Sequence, residues 1–273
     1  MNSIVFIVLV QPAISHQKIE FFRSHMTRIL STDFPIAHKP EFYFVKTHPS
    51  ISIAFTDGCL KNIGFWIAKQ VSHSKDYKEC TFVFHDIGHM PISREIIPSY
   101  ETNSGVVKHW LGTKQALDGI VCIQGQDFET IGGFPFTCES GSESYELYKR
   151  VQKCIQTDHL HLDQTELHPW NDLKFIHTDA NTSTVVNGDI DGTTISETTD
   201  IIETRMKSFK TRWQDQIQYK HERVTRIDQV DYEENNQYIY VKSYSLKSIY
   251  TDHTQPITTK PTGELFSHHL FQS

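Results

Sequence analysis

Three short apolar runs, separated by two stretches of helical spacing, restrict what the first half of this chain can become. Residues 4–10, 41–45 and 81–84 are rich in β-branched and aromatic side chains and read as buried strands. Between them, residues 15–30 read as a helix opened by Ser15 as its cap, and residues 60–71 carry Leu60, Ile63, Gly64, Ile67, Ala68 and Val71 at helical intervals. The order βαβαβ joins strands through crossover helices, so the expected class is α/β with a mostly parallel central sheet flanked by helices. Open sheets of this kind bind ligands beyond the carboxyl ends of their strands. The third run passes directly into His85-Asp86-Ile87-Gly88-His89, so the fold itself aims Asp86 at a site.

The second half is less regular. Residues 119–124 are strand-like, 126–131 form a short helix that stops at Gly132-Gly133, and Phe134-Pro135 leads into a Ser/Gly loop. Residues 143–155 read as an amphipathic helix through Leu147, Val151, Cys154 and Ile155, and 173–176 as a strand ending at His177. From 178 to 203 the chain is dominated by Thr, Ser, Asp, Asn and Gly, which cannot bury enough apolar surface to order themselves, so a mobile loop or lid is expected. Residues 224–227 and 238–241 read as a closing pair of strands around a polar turn at 233–236, and 251–273 as a tail.

With 38% hydrophobic residues in 273, the chain can bury one sizeable core, and residues 1–250 are read as a single domain. A net charge of −7 without a Lys/Arg cluster argues against a nucleic-acid surface. The five cysteines (Cys59, Cys80, Cys122, Cys138 and Cys154) include no C-x-x-C pair and are odd in number, which points to free thiols in a reducing compartment. The apolar start is short, lacks a basic leader and is followed by no small-residue cleavage pattern, so it reads as the first strand rather than a signal peptide. No membrane span is recognised, and a soluble, cytoplasmic protein is expected.

The order of these features resembles the inverting β-1,4-galactosyltransferase-like family of glycosyltransferases over residues 4–245. The segment 82–92 (FVFHDIGHMPI) resembles that family's Asp-Val-Asp strand with its following Ile-Pro-Met, and residues 118–135 (DGIVCIQGQDFETIGGFP) its Phe-Gly-Gly-Val strand leading to Asn-Gly-Phe-Pro. Residues 55–65 (FTDGCLKNIGF) resemble its Phe-Asn-Arg-Ala helix start, and residues 143–146 its Glu-Asp-Asp run. The resemblance implies a GT-A-like nucleotide-diphospho-sugar transferase fold, with residues 1–95 as the nucleotide-binding half and 105–250 as the acceptor half. It implies transfer of a hexose such as galactose, with inversion, from a nucleotide-diphospho-sugar (a UDP-sugar above all) to a glycan or glycoprotein acceptor, with Mn2+ or another divalent cation as cofactor.

The departures fall where the chemistry lies. The second acid of Asp-x-Asp, a metal ligand in that family, is Gly88 here; its arginine after Phe-Asn falls at Asp57; the arginines after its first strand are absent from residues 11–15. The acid expected to serve as base is Ser144, beside Glu143. By position, the resemblance points to Asp86, Asp57, Asp118 and Gly119 toward the donor, with a plain turn as the alternative for Asp118 and Gly119, and to His177 at the place of the family's histidine ligand. Glu143, at a helix start where the dipole favours a carboxylate, is the candidate base or sugar-hydroxyl contact, and an ordinary first-turn acid below a Ser142 cap is the alternative. Asp86, His89 and His177 form the candidate metal set, since imidazole with carboxylate suits Mn or Zn, while a turn-capping Asp86 among unrelated histidines is the alternative in a chain with 16 of them. The pair His159 and His161 is read as structural, and Trp110 as core rather than a sugar platform. A second function is a catalytically inactive descendant of the fold, a pseudoenzyme that binds a glycan or a protein partner.

Overall fold

The computed structural model describes residues 3–10, 14–30, 40–51, 55–71, 76–136, 142–178, 223–235 and 238–250. The expectations for the arginine-free segment 11–13, Cys138, the loop 179–203 and the tail 251–273 lie outside them. Strand β1 (Ile4–Leu9) lies between β2 (Glu41–Thr47) and β3 (Thr81–Asp86), parallel to both. Helices α1 (His16–Leu30) and α2 (Asp57–Val71) supply the crossovers. Each starts on a hydroxyl cap: Ser15 Oγ accepts the Lys18 N–H and Thr56 Oγ1 the Cys59 N–H, which satisfies an amide that the helix itself leaves over.

The remaining elements are β4 (His89–Pro91), β5 (Val106–Leu111), β6 (Ile120–Gln124), α3 (Gly125–Thr130), α4 (Glu143–Ile155), β7 (His161–Asp163), β8 (Phe175–His177), β9 (Arg223–Asn235) and β10 (Tyr238–Tyr250). Among the described residues the main sheet has the order β7-β5-β6-β3-β1-β2-β10-β9, and β4 pairs with β8 in a small separate ladder. The expected parallel core is present, extended by β10 alongside β2. Strand β6 runs antiparallel to β3, with His85 opposite Ile120, so the start of β6 meets the end of β3.

Apolar alternation along the strands makes two cores. Val5, Ile7, Phe82 and Phe84 face one side, where Ile63 and Ile67 of α2, Phe128 of α3 and Leu147 and Val151 of α4 cover them. Ile4, Phe6, Val8 and Val83 face the other, under Ile19, Phe22 and Met26 of α1. The helix α2 sits very close to the sheet: a Cβ at Gly64 would lie 2.6 Å from Ile7 Cγ2 and 2.9 Å from Val45 Cγ2. Three strands were not expected from the sequence; one of them, β4, is only three residues long. Strand β5 is broken as an apolar run by Lys108 and His109, and β7 is only three residues long.

Candidate functional site

The carboxyl ends of β1, β2 and β3, the amino end of β6 and the first turn of α2 share one edge of the sheet, and most of the candidate residues gather there. Asp86 closes β3. Its amide donates to Gly119 O at 3.0 Å, so Asp118-Gly119, 32 positions away in sequence, is fastened to it. Gly119 has φ +67, a conformation only glycine adopts without strain, and a Cβ there would run into Leu111 O. Beyond it, Trp170 Cη2 lies 3.3 Å from that Cβ position, and the Trp170 ring stands edge-on to His89 with centroids 4.8 Å apart.

The Asp86 carboxylate is engaged on both oxygens. Oδ2 accepts from His89 Nδ1 at 2.6 Å and Oδ1 from the Gly88 N–H at 3.1 Å. Burial pushes this carboxyl up, but the His89 hydrogen bond and charge, with the Gly88 amide, outweigh it and hold the group below its ordinary value. The β4–β8 ladder puts His177 opposite His89, with ring centroids 5.0 Å apart. His177 Nε2 donates to Asp172 O at 3.0 Å. Thus the three residues expected to ligate a metal do become neighbours, but they satisfy protein partners. Among the described residues no group of three or more His, Cys, Asp or Glu is arranged to hold a metal ion.

Glu143 begins α4, and its carboxylate is buried, with 3% exposure. Its Cβ and Cγ lie 2.8 Å from where Gly58 would carry a Cβ, so the starts of α4 and α2 fit together only because residue 58 is glycine. Ser142 makes no side-chain capping bond to the helix, so the alternative reading of Glu143 as the acid below a serine cap loses its cap. Ser144 O accepts the Leu117 N–H at 2.9 Å, which brings α4 against the Asp118 turn. Asp57, exposed at the start of α2, is beside Gly58 and so near Glu143.

Two neighbours of this edge were not singled out from the sequence. Lys61 Nζ lies 4.9 Å from the centre of the Phe134 ring, and its charge reaches Asp118. Burial raises the Asp118 carboxyl above its ordinary value, against the pull of the Thr113 N–H (2.7 Å) and Lys61. Asn62 clamps the Gly133-Phe134 segment: its Nδ2 donates to Phe134 O at 2.7 Å and its Oδ1 accepts from Phe134 N at 2.9 Å. Both residues stand in the segment 55–65 that carries the family resemblance, which was the available signal. Trp170 had none, since it follows His168-Pro169 in a stretch without periodicity.

Two other histidines, His85 and His109, are buried and hydrogen-bonded to backbone carbonyls. His85 is buried, donating from Nδ1 to Asp86 O at 2.9 Å and packing edge-on against Phe22. His109 Nε2–H donates to Asp118 O (2.9 Å) and Leu111 O (3.0 Å), so its Nδ1 is the acceptor facing Gln164 Nε2 at 3.0 Å. His159 is exposed just before β7, and His161 is exposed at its start. Trp110 lies in the core beneath α1, as expected. Among the described residues, Cys59, Cys80, Cys122 and Cys154 form no disulfide.

No protein-family model matches the sequence, and none of the curated proteins matches it. The fold does have solved counterparts. The catalytic domain of Drosophila β1,4-galactosyltransferase 7, in a mutant form in complex with manganese, UDP-Gal and xylobiose, superposes with a TM-score of 0.50 at 15% identity, over 92% of this chain and 95% of that one. A second structure of that catalytic domain, in complex with xylobiose, gives a TM-score of 0.49 at the same identity and coverage. The fold is that of a GT-A galactosyltransferase catalytic domain. Among the described residues no helix is long and apolar enough to cross a membrane.

Proposed function

We propose that this GT-A-fold chain is a glycosyltransferase that moves a hexose from a nucleotide-diphospho-sugar to a hydroxyl of a glycan or glycoprotein, with inversion. The observation that carries the reading is the convergence of Asp86, Asp118, Gly119, Lys61 and Glu143 on the ligand-binding edge of the sheet. The manganese, UDP-Gal and xylobiose in the similar Drosophila structure support a UDP-sugar donor and a sugar acceptor. In the transfer, the acceptor oxygen forms a bond to the anomeric carbon, the bond from that carbon to the β-phosphate oxygen breaks, and the nucleoside diphosphate leaves with the electron pair. Glu143 takes the acceptor proton. Asp86, Asp57 and the Asp118-Gly119 turn line the donor, with residues 1–95 holding the nucleotide and later segments the acceptor.

A divalent cation, where one binds in such a fold, offsets the charge on the departing diphosphate. The described side chains do not assemble a ligand set for it.

A second reading, a non-catalytic binder of glycans or proteins, is favoured by the deep burial of Glu143 across Gly58 and by an acid, Asp57, where the family resemblance places an arginine. One experiment separates the two. The protein is incubated with UDP-, GDP- and CMP-linked sugars and simple glycan acceptors, and nucleotide release is measured for wild type, Asp86→Asn and Glu143→Gln. Turnover lost by at least 100-fold in Glu143→Gln is the expected result; nucleotide-sugar binding without turnover leaves the binder reading, and no binding at all removes the transferase reading.

A further inference from the structure

The Asp86–His89–His177 group occupies the place where the fold would hold a divalent cation, yet its members are already engaged by protein partners. Asp86 has committed one oxygen to His89 and the other to the Gly88 amide, and His177 donates to Asp172 O. A manganese or magnesium ion needs several hard ligands converging at about 2.0–2.2 Å, and stripping Asp86 of His89 to provide one would leave the ring without its acceptor.

Neither backbone nor packing forces the loss of the second acid. Gly88 is not among the described glycines with positive φ, and a Cβ there would lie 3.5–3.6 Å from the Asp86 oxygens and 3.6 Å from Thr178 O, ordinary contact distances. An aspartate would fit. Its carboxylate would then stand beside that of Asp86, an arrangement that repels unless a cation sits between the two.

The same edge does contain a fixed positive charge. Lys61, half-buried near the start of α2, is held over the Phe134 ring and close enough to Asp118 to lower the cost of its charge. Asp118 in turn is tied through Gly119 to the Asp86 amide. An ammonium in a partly desolvated site interacts with phosphate far more strongly than one in bulk water.

We propose that the donor's diphosphate is held here by the Lys61 ammonium without a divalent cation, Asp86 being committed to His89. The proposal rests on the transferase reading above and specifies how its donor is bound. It is tested by calorimetric titration of the full chain with UDP and with GDP, each in excess EDTA and in Mn2+. Wild type is expected to bind one of the two with affinities in EDTA and Mn2+ that agree within about threefold. Lys61→Met should weaken binding at least tenfold and Lys61→Arg should restore most of it, with circular dichroism confirming that both variants fold. Gly88→Asp should bind at least tenfold more weakly in EDTA and recover in Mn2+. Binding that disappears in EDTA, or that is unchanged in Lys61→Met, overturns the proposal and leaves the transferase reading standing. Absence of nucleotide binding in both buffers overturns both.

Discussion

Replacing Gly119 by alanine isolates what the Asp118-Gly119 turn does. Two costs apply. With φ +67 the residue is in the left-handed region, where an L side chain loses roughly 1–2 kcal/mol. In addition, the new methyl collides with Leu111 O and comes within 2.9 Å of Leu111 C, and overpacking against backbone costs about 1–3 kcal/mol. The sum, about 3 kcal/mol, should lower Tm by about 6–12 °C in a domain of this size. A control is available: Gly105 also has positive φ (+80), but a Cβ there meets only His159 O at 3.6 Å, so Gly105→Ala carries the conformational cost alone. Urea unfolding of the two variants should therefore place Gly119→Ala about 1–3 kcal/mol below Gly105→Ala. The collision can be relieved only by moving the turn, which would carry Gly119 O away from the Asp86 amide, so nucleotide affinity should fall with stability in this variant and not in the control. Equal destabilisation of the two, or a loss below 1 kcal/mol at Gly119, would refute the reasoning.

Two further outcomes follow from buried polar groups. His85 and His109 are both lowered from 6.5 to about 4 by burial, so the folded protein keeps them neutral while the unfolded chain protonates them. Above pH 6.5 this has no effect; between pH 6.5 and 4 the unfolded state gains protons that the native state refuses, and stability falls by roughly 3 kcal/mol per histidine, complete below about pH 4. Urea midpoints across that range check this, and His85→Phe, which also removes a buried unpartnered Nε2, should abolish about half of the acid loss while leaving stability at pH 7 within about 1 kcal/mol. Asn62→Ala strands the Phe134 N–H and C=O in the interior and should cost about 2–4 kcal/mol by the same measurement, whereas a loss below 1 kcal/mol would mean that the clamp contributes little.

The parallel framework was legible because β1 and β3 are continuous apolar runs, α1 opens on a serine cap and α2 has a clear helical period. Strand β5 was hidden because two polar residues interrupt it: Lys108 reaches out to Glu101 O, and His109 is buried only because Leu111, Asp118 and Gln164 supply its partners. Those partners lie up to 55 positions away, and no local pattern announces them. The same limit applied at the site. Asp86, Asp118 and Glu143 could be named from motifs, but the engagement of Asp86 by His89, the proximity of Lys61 to Asp118 and the seating of Glu143 on Gly58 depend on tertiary contacts. Strands β9 and β10 were foreseen at residues 224–227 and 238–241 and run for 13 residues each, since pairing with each other extends them through polar sequence.

Helix α2 shows how little freedom remains for variation at this edge. Between Asp57 and Gly64, position 58 is closed by Glu143, 62 by the Phe134 backbone and 64 by Ile7 and Val45, while Cys59, Leu60 and Ile63 are core. Only 57 and 61 can change side chain without displacing a neighbour. Variation at this edge is thereby channelled into two sites one helical turn apart, an acid and a base.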